Sequence, residues 1–299
     1  MKKLLGILMM LTLTTGFAYS VDLVDSTNIE GREMFAENGE WAEMFSFKME
    51  RNPRIDIVYG FTTPKYHKDD YNGEFSGTNN AELRLGFENI KKYNNSENVF
   101  KFNHESFFLG KLQELSSTSD ENNNKVAVEA WRFGFGSNNG YGYNIGSSMK
   151  VALGASNAIG WTKFDFLDTT VIPEDQKRLD YIGDSFRFGT QTEANITVKL
   201  GDNIGISGSY ERAVVFPRTL FWYWAGSEIV RGIGSGLISS FVNEVGKASP
   251  EALPVVYFIL QNALNYGFYE LRQKNMNWPI ETVAPFAFDS FNIGLSVSF

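Results

Sequence analysis

At 299 residues the chain is long enough for two average domains or one large all-β domain, and 43% hydrophobic residues exclude intrinsic disorder. Net charge is -8, which argues against nucleic acid as the main partner. The absence of cysteine removes disulfides, thiolate metal sites and cysteine nucleophiles together. Mean hydropathy is only -0.22, so the apolar residues must alternate with polar ones rather than form long greasy runs.

In chain order, the first element is an address. Lys2-Lys3, an apolar stretch from Leu4 to Leu13 and the small residues Ala18 and Ser20 have the parts of a secretory signal peptide, cleaved after residue 20. Residues 21–40 are expected to form an N-terminal periplasmic segment. From there a period of two dominates. In Ala81–Glu88 the odd positions are apolar and the even ones are charged or Gly. The longest alternating run carries Phe186, Phe188, Ala194, Ile196, Val198 and Leu200 on one face. The pattern gives ten strands: 41–49, 54–61, 79–90, 98–109, 125–136, 141–153, 157–167, 184–200, 203–216 and 286–299. Gly201-Asp202-Asn203, Ser137–Gly140 and Asn52-Pro53 supply turn chemistry between them. The apolar phase shifts in 125–136, from Val126, Val128 and Ala130 to Trp131, Phe133 and Phe135, which suggests a bulge near Ala130.

Two architectures bury such strands: a soluble sandwich, or a closed barrel turned inside out in a membrane. Alternation over ten or more residues suits tilted strands crossing a bilayer, and aromatics near strand ends (Phe61, Trp131, Tyr141, Trp161, Tyr210) suit interfacial girdles. The last segment, Asn292–Phe299, alternates and stops on an aromatic. With the signal peptide and the missing cysteines, it resembles the transmembrane β-barrels of Gram-negative outer membranes. The resemblance implies an all-β antiparallel barrel of about ten strands (eight to twelve), Phe299 as the signal read by the barrel-insertion machinery, and outer-membrane lipids as partners. Residues 41–299 would form the barrel.

Alternation stops at 219–275. Ser249-Pro250-Glu251 has the chemistry of a helix start, with Ser as the cap. Apolar stretches at Ile229–Val245 and Val255–Leu271 complete an α-helical hairpin inserted before the last strand. So apolar a pair cannot stand in water and is expected to enter the lumen, cap the mouth or rest in the outer leaflet.

No P-loop, GxGxxG, HExxH or GxSxG motif is present, and neither a cofactor nor a metal is expected. Glu82, Arg84, Glu88, Lys101, Glu105, Arg187, Glu193 and Lys199 are expected to line the lumen, mostly as an ion-pair ladder. The role this implies is a narrow channel or carrier for small molecules, with a small hydrophobic ligand favoured by the hairpin, or a structural surface protein. One alternative is enzymatic. His104 and Ser106 lie two apart on one strand face beside Phe100, Phe102 and Phe108, and so are expected to look into lipid. The pair is similar to the His-x-Ser of outer-membrane lipid A deacylases and phospholipase, except that Phe107 follows where those enzymes have Asn. The Ser116–Asn124 run and Asp69-Asp70 read as solvated loops.

Overall fold

The computed structural model describes residues 52–66, 73–93, 96–114, 125–167 and 173–299, all in the unit beginning at Lys48. The signal peptide, the 21–40 segment, the strand expected at 41–49 and the Ser116–Asn124 and Asp69-Asp70 loops lie outside the described residues.

Eight long strands form the wall: β1 (Asn52–Lys65), β3 (Thr78–Lys92), β4 (Val99–Glu114), β5 (Lys125–Ile145), β6 (Met149–Leu167), β7 (Arg187–Leu200), β8 (Ile204–Val215) and β9 (Phe286–Ser298). Each pairs antiparallel with its sequence neighbours, and β9 pairs with β1, which closes the sheet. A two-residue strand, β2 (Glu74–Phe75), runs parallel beside the start of β5. The helices are α1 (Pro173–Gly183), α2 (Phe221–Ala248) and α3 (Leu253–Lys274), the last two joined through a 3₁₀ turn at Pro250–Ala252.

The closed wall therefore has eight strands rather than ten. It closes without 41–49, and the expected pair 125–136 and 141–153 is one strand plus the start of the next. Ser137–Gly140 is not a turn: these residues pair with β4 on one side and β6 on the other. Glycine serves a different purpose there. A Cβ on Gly140 would lie 2.8 Å from the Phe102 ring and one on Gly142 2.3 Å from the Phe100 ring, so both glycines make room for aromatics of β4 lying across them. The true β5–β6 turn sits at Gly146, where φ is 64°; Gly201, at φ 67°, turns β7 into β8 as the sequence implies. Asn52-Pro53 likewise begins β1 instead of ending a preceding turn.

Pairing from Ala127↔Leu167 to Ile145↔Met149 is unbroken, so no bulge occurs at Ala130. The apolar phase changes because the lumen changes. Val128 and Ala130 point inward into an apolar cluster with Leu112, Phe164, Ala213, Phe286 and Phe288, whereas Trp131 and Phe135 point outward.

The wall is inverted relative to a soluble protein. Ile57, Phe61, Phe291 and Ile293 are each at least 60% exposed, while alternating Arg54, Asp56, Asn292 and Ser296 are buried. Short connections (β3–β4, β5–β6, β7–β8) gather at one end and the long ones at the other, as in barrels that cross an outer membrane. With eight strands, the connections around 62–78 and 110–124 fall on the long-loop end.

Helices α2 and α3 pack antiparallel to each other and lie against the outside of the wall. Strand parity fixes this. Asn157 and Thr190 point outward; Arg231 of α2 donates to Asn157 Oδ1 at 2.9 Å, and Arg272 of α3 to Thr190 Oγ1 at 3.3 Å. Ser249 makes no side-chain cap.

Replacing Gly140 with Val should force Phe102 and the facing β6 backbone apart, lowering stability by about 1–3 kcal/mol. Urea unfolding in detergent micelles measures this; an unchanged midpoint would refute the ring-over-glycine packing.

Candidate functional site: the charged lumen and the covered outer wall

The lumen is built by inward positions of all eight strands. Near the short-turn end, Arg54 donates to Asp56 Oδ1 (2.6 and 2.9 Å) and to Glu88 Oε1 (2.6 Å). Glu88 also accepts from Lys199 and, at 3.3 Å, from Ser298. Higher up, Arg84 bridges Glu82 (2.7 Å) and Glu193 (2.9 Å). Arg132 donates to Glu211 (2.5 Å) and Gln191 (2.5 Å) and lies 3.4 Å from Glu82. Among the described residues this core holds the carboxylates Asp56, Glu82, Glu88, Glu193 and Glu211 against Arg54, Arg84, Arg132 and Lys199. An eight-stranded barrel is just wide enough for side chains to fill it, so charges on one strand can reach partners on others, as Arg84 reaches Glu193 and Arg132 reaches Glu211.

Apolar side chains flank this polar core at both ends. The Arg132 guanidinium lies 5.4 Å from the centre of the Phe108 ring and 5.0 Å from that of Phe288. Above it sits the apolar cluster, which Ile182 of α1 joins from the mouth. Phe100, Phe102 and Ala152 pack together at the other end.

Of the residues expected to line the lumen, Glu82, Arg84, Glu88, Glu193 and Lys199 face inward. Lys101 and Glu105 do not. They share outward parity with Phe107 and Leu109, because on β4 the aromatics Phe100, Phe102 and Phe108 take the inward positions and the charges the outward ones. Arg187 stands at the rim, where it donates to the Tyr181 carbonyl, and to Asp184 at 2.5 Å, at the end of α1. Cations are favoured at a helix C-terminus.

The His104 and Ser106 expectation is overturned. Both point into the lumen, together with Phe100, Phe102 and Phe108, since β4 pairs His104 with Glu88 and Ser106 with Gly86. His104 is 4% exposed, with Nε2 3.6 Å from Asp56 Oδ2. Lipid cannot reach the pair through the wall, so a bilayer-facing hydrolase is not built here. Phe299 is exposed at the short-turn end, its amide donating to the Pro53 carbonyl at 2.9 Å.

The outer wall under the helices carries a second polar system, which sequence reasoning did not find. Glu228 receives Arg231 and Arg272, both at 2.7 Å, and Arg272 also donates to Ser227 at 2.8 Å. Ser235 meets Gln261 at 3.1 Å, and Gly234 allows Leu264 to approach closely. The opposite faces are apolar and exposed: Ile229, Ile233, Leu237 and Phe241, spaced by four, on α2, and Val255 and Ile259 on α3. The polar spacing at 227, 228, 231 and 235 was the available signal. Among the described residues no helix is long and apolar enough to cross a membrane by itself, and α2 and α3 each turn a polar face to the wall.

No family model matches the sequence, and no curated protein sequence matches it. Among solved structures, the fold is similar to Neisserial surface protein A, with 10% identity, a TM-score of 0.37, and coverage of 83% of this chain and 97% of that one. It is also similar to Ail, the attachment invasion locus protein of Yersinia pestis, at 10% identity and a TM-score of 0.30, covering 84% of this chain and 100% of that one. Likeness this distant concerns the fold alone. The chain is a closed, eight-stranded antiparallel barrel of the outer-membrane type, recognised by its own inverted wall.

Changing Arg132 to Met leaves Glu211 and Glu82 short of a buried partner and should cost about 3–5 kcal/mol, whereas adding Glu211→Met should return part of that loss. Denaturant midpoints of the two single variants and the double measure the coupling; strictly additive losses would show that the pair is not coupled.

Proposed function

We propose that this protein is an outer-membrane structural or surface barrel that acts through its outer face and long-loop end, not a conduit through its lumen. The observation that carries this reading is the mutually paired core, flanked by apolar side chains. A solute would have to part the Arg132–Glu211 and Arg84–Glu193 pairs and then the apolar cluster beneath α1. Separating buried ion pairs costs several kcal/mol each, so spontaneous opening is rare. That weighs against a passive channel and against a lumenal carrier for small hydrophobic molecules.

The second half of the proposal concerns α2 and α3. They form a helical hairpin inserted in the bilayer alongside the barrel. At 28 and 22 residues they extend about 42 and 33 Å, the second near the bilayer's hydrocarbon thickness of about 30 Å and the first long enough to reach the headgroup regions. Their exposed apolar faces continue the apolar wall of β1 and β9, and their polar faces meet it through Arg231–Asn157 and Arg272–Thr190. Export by the signal peptide and insertion through the Phe299 strand complete the reading.

Two measurements test it. Protein reconstituted in planar bilayers should show no conductance above the lipid baseline; stable unitary steps would overturn the closed-lumen reading. An environment-sensitive dye at Leu237→Cys in liposomes should be quenched by acyl-chain quenchers as strongly as one at Ile293→Cys on the wall. An aqueous spectrum at position 237 alone would remove the hairpin from the bilayer.

A further inference from the structure

An arginine on the lipid side of a membrane wall is costly and usually marks a site with a partner. Arg212 is such a residue. It lies on β8 with outward parity, paired with Thr192 of β7 and Asp289 of β9. It is 7% exposed, yet its Nε and Nη1 have no hydrogen-bond partner among the described residues. Among the described residues it makes no salt bridge. The natural counter-ion, Asp289, is already engaged: Oδ2 accepts from Lys65 at 2.6 Å and Oδ1 from the Tyr269 hydroxyl at 2.5 Å.

Tyrosines hold the guanidinium instead. Its carbon lies 4.9 Å from the Tyr210 ring centre, 4.7 Å from Tyr266 and 6.0 Å from Tyr269, and Lys65 Nζ lies 5.2 Å from that same Tyr269 ring. Cation–π contact offsets part of the desolvation but neutralises no charge. Among the described contacts, then, two cations share one carboxylate, with Glu270 exposed on α3 next to Tyr269. Its edge is open toward lipid at Tyr266, 51% exposed, and Lys65 is the last residue of β1, at the long-loop rim where headgroups of the outer leaflet would lie.

We infer that Arg212 and Lys65, framed by Tyr210, Tyr266 and Tyr269, form a binding site for the phosphate of a lipid headgroup in the outer leaflet. The inference rests on the bilayer reading above. A guanidinium whose Nε and Nη1 are buried without a partner would gain charge-assisted hydrogen bonds from phosphate oxygens entering beside Tyr266, and the Lys65 ammonium, held on Asp289, adds a second charge. The acyl chains of the same lipid would run along the apolar faces of β9 and α3, where Phe291 and Tyr266 are exposed.

The test uses the full chain in phosphatidylcholine nanodiscs doped with a bis-phosphorylated glucosamine lipid, released into native mass spectrometry. The wild type should retain one phosphorylated lipid in preference to phosphatidylcholine. Arg212→Gln should weaken that retention about tenfold. Lys65→Gln should weaken it too, since it frees Asp289 to take Arg212, while Arg212→Lys keeps most of it. Heat-modifiable gel mobility verifies that each variant is folded. Equal retention by folded Arg212→Gln and wild type overturns the site. Displacement of the lipid by millimolar inorganic phosphate overturns the lipid assignment in favour of a free anion. Failure of the wild type to enter the discs would instead sink the membrane reading, and this inference with it.

Discussion

Closure of the backbone ladder is the constraint from which the rest follows. A bilayer offers no hydrogen bonds to peptide groups, so a sheet can cross it only when its last strand pairs with its first. Here β9 pairs with β1 over twelve positions, from Arg54↔Ser298 to Lys65↔Ala287. Once the wall has no edge, outward positions must be apolar. The charged side chains of β1, β3, β5, β7 and β8 are then driven into a space just wide enough for side chains. They can remain there only by satisfying one another, and for that reason the lumen is an ion-pair core, with Arg84 and Arg132 each reaching carboxylates on strands across it.

That core also explains why strand existence was easy to read and side-chain facing was not. A period of two marks a strand whichever way it points, and β1, β3, β7 and β9 were all located within a few residues. Facing requires knowing which side is polar, and on β4 neither side is uniform. Phe100, Phe102 and Phe108 point inward with His104, while Lys101 and Glu105 point outward. Reading every aromatic as lipid-facing and every charge as lumenal therefore inverted that strand. The same assumption of a uniformly polar lumen turned the change at Ala130 into a bulge; the inward residues there are apolar because α1 closes the mouth above them.

Glycine and asparagine carried the other ambiguity. Ser137-Asn138-Asn139-Gly140 has the composition of a turn, yet it lies mid-strand. Gly140 and Gly142 lack side chains because rings from β4 occupy that space. A turn needs a left-handed residue, and the positive φ falls at Gly146. Composition alone does not separate these two uses of glycine. A check does exist in the sequence, since Phe102 and Phe100 on the neighbouring strand are spaced to match Gly140 and Gly142.

The helices extend the wall's inversion to a second layer. A water-soluble amphipathic helix buries its apolar stripe; α2 buries Glu228, Arg231 and Ser235 and exposes Ile229, Ile233 and Leu237. Such a helix has too low a mean hydropathy to be recognised as membrane-crossing, yet it loses nothing by lying in lipid if its polar stripe is satisfied elsewhere. The wall meets that need with Asn157 and Thr190, outward polar residues that would be costly facing acyl chains alone. Polar wall and polar helix face each make the other tolerable, so neither can be read as functional or structural in isolation. Arg212 lies at the margin of the same arrangement, beneath α3 but without the partner that Arg231 and Arg272 find in Glu228. Among the described residues, Arg231 and Arg272 find a carboxylate between helix and wall, and Arg212 does not.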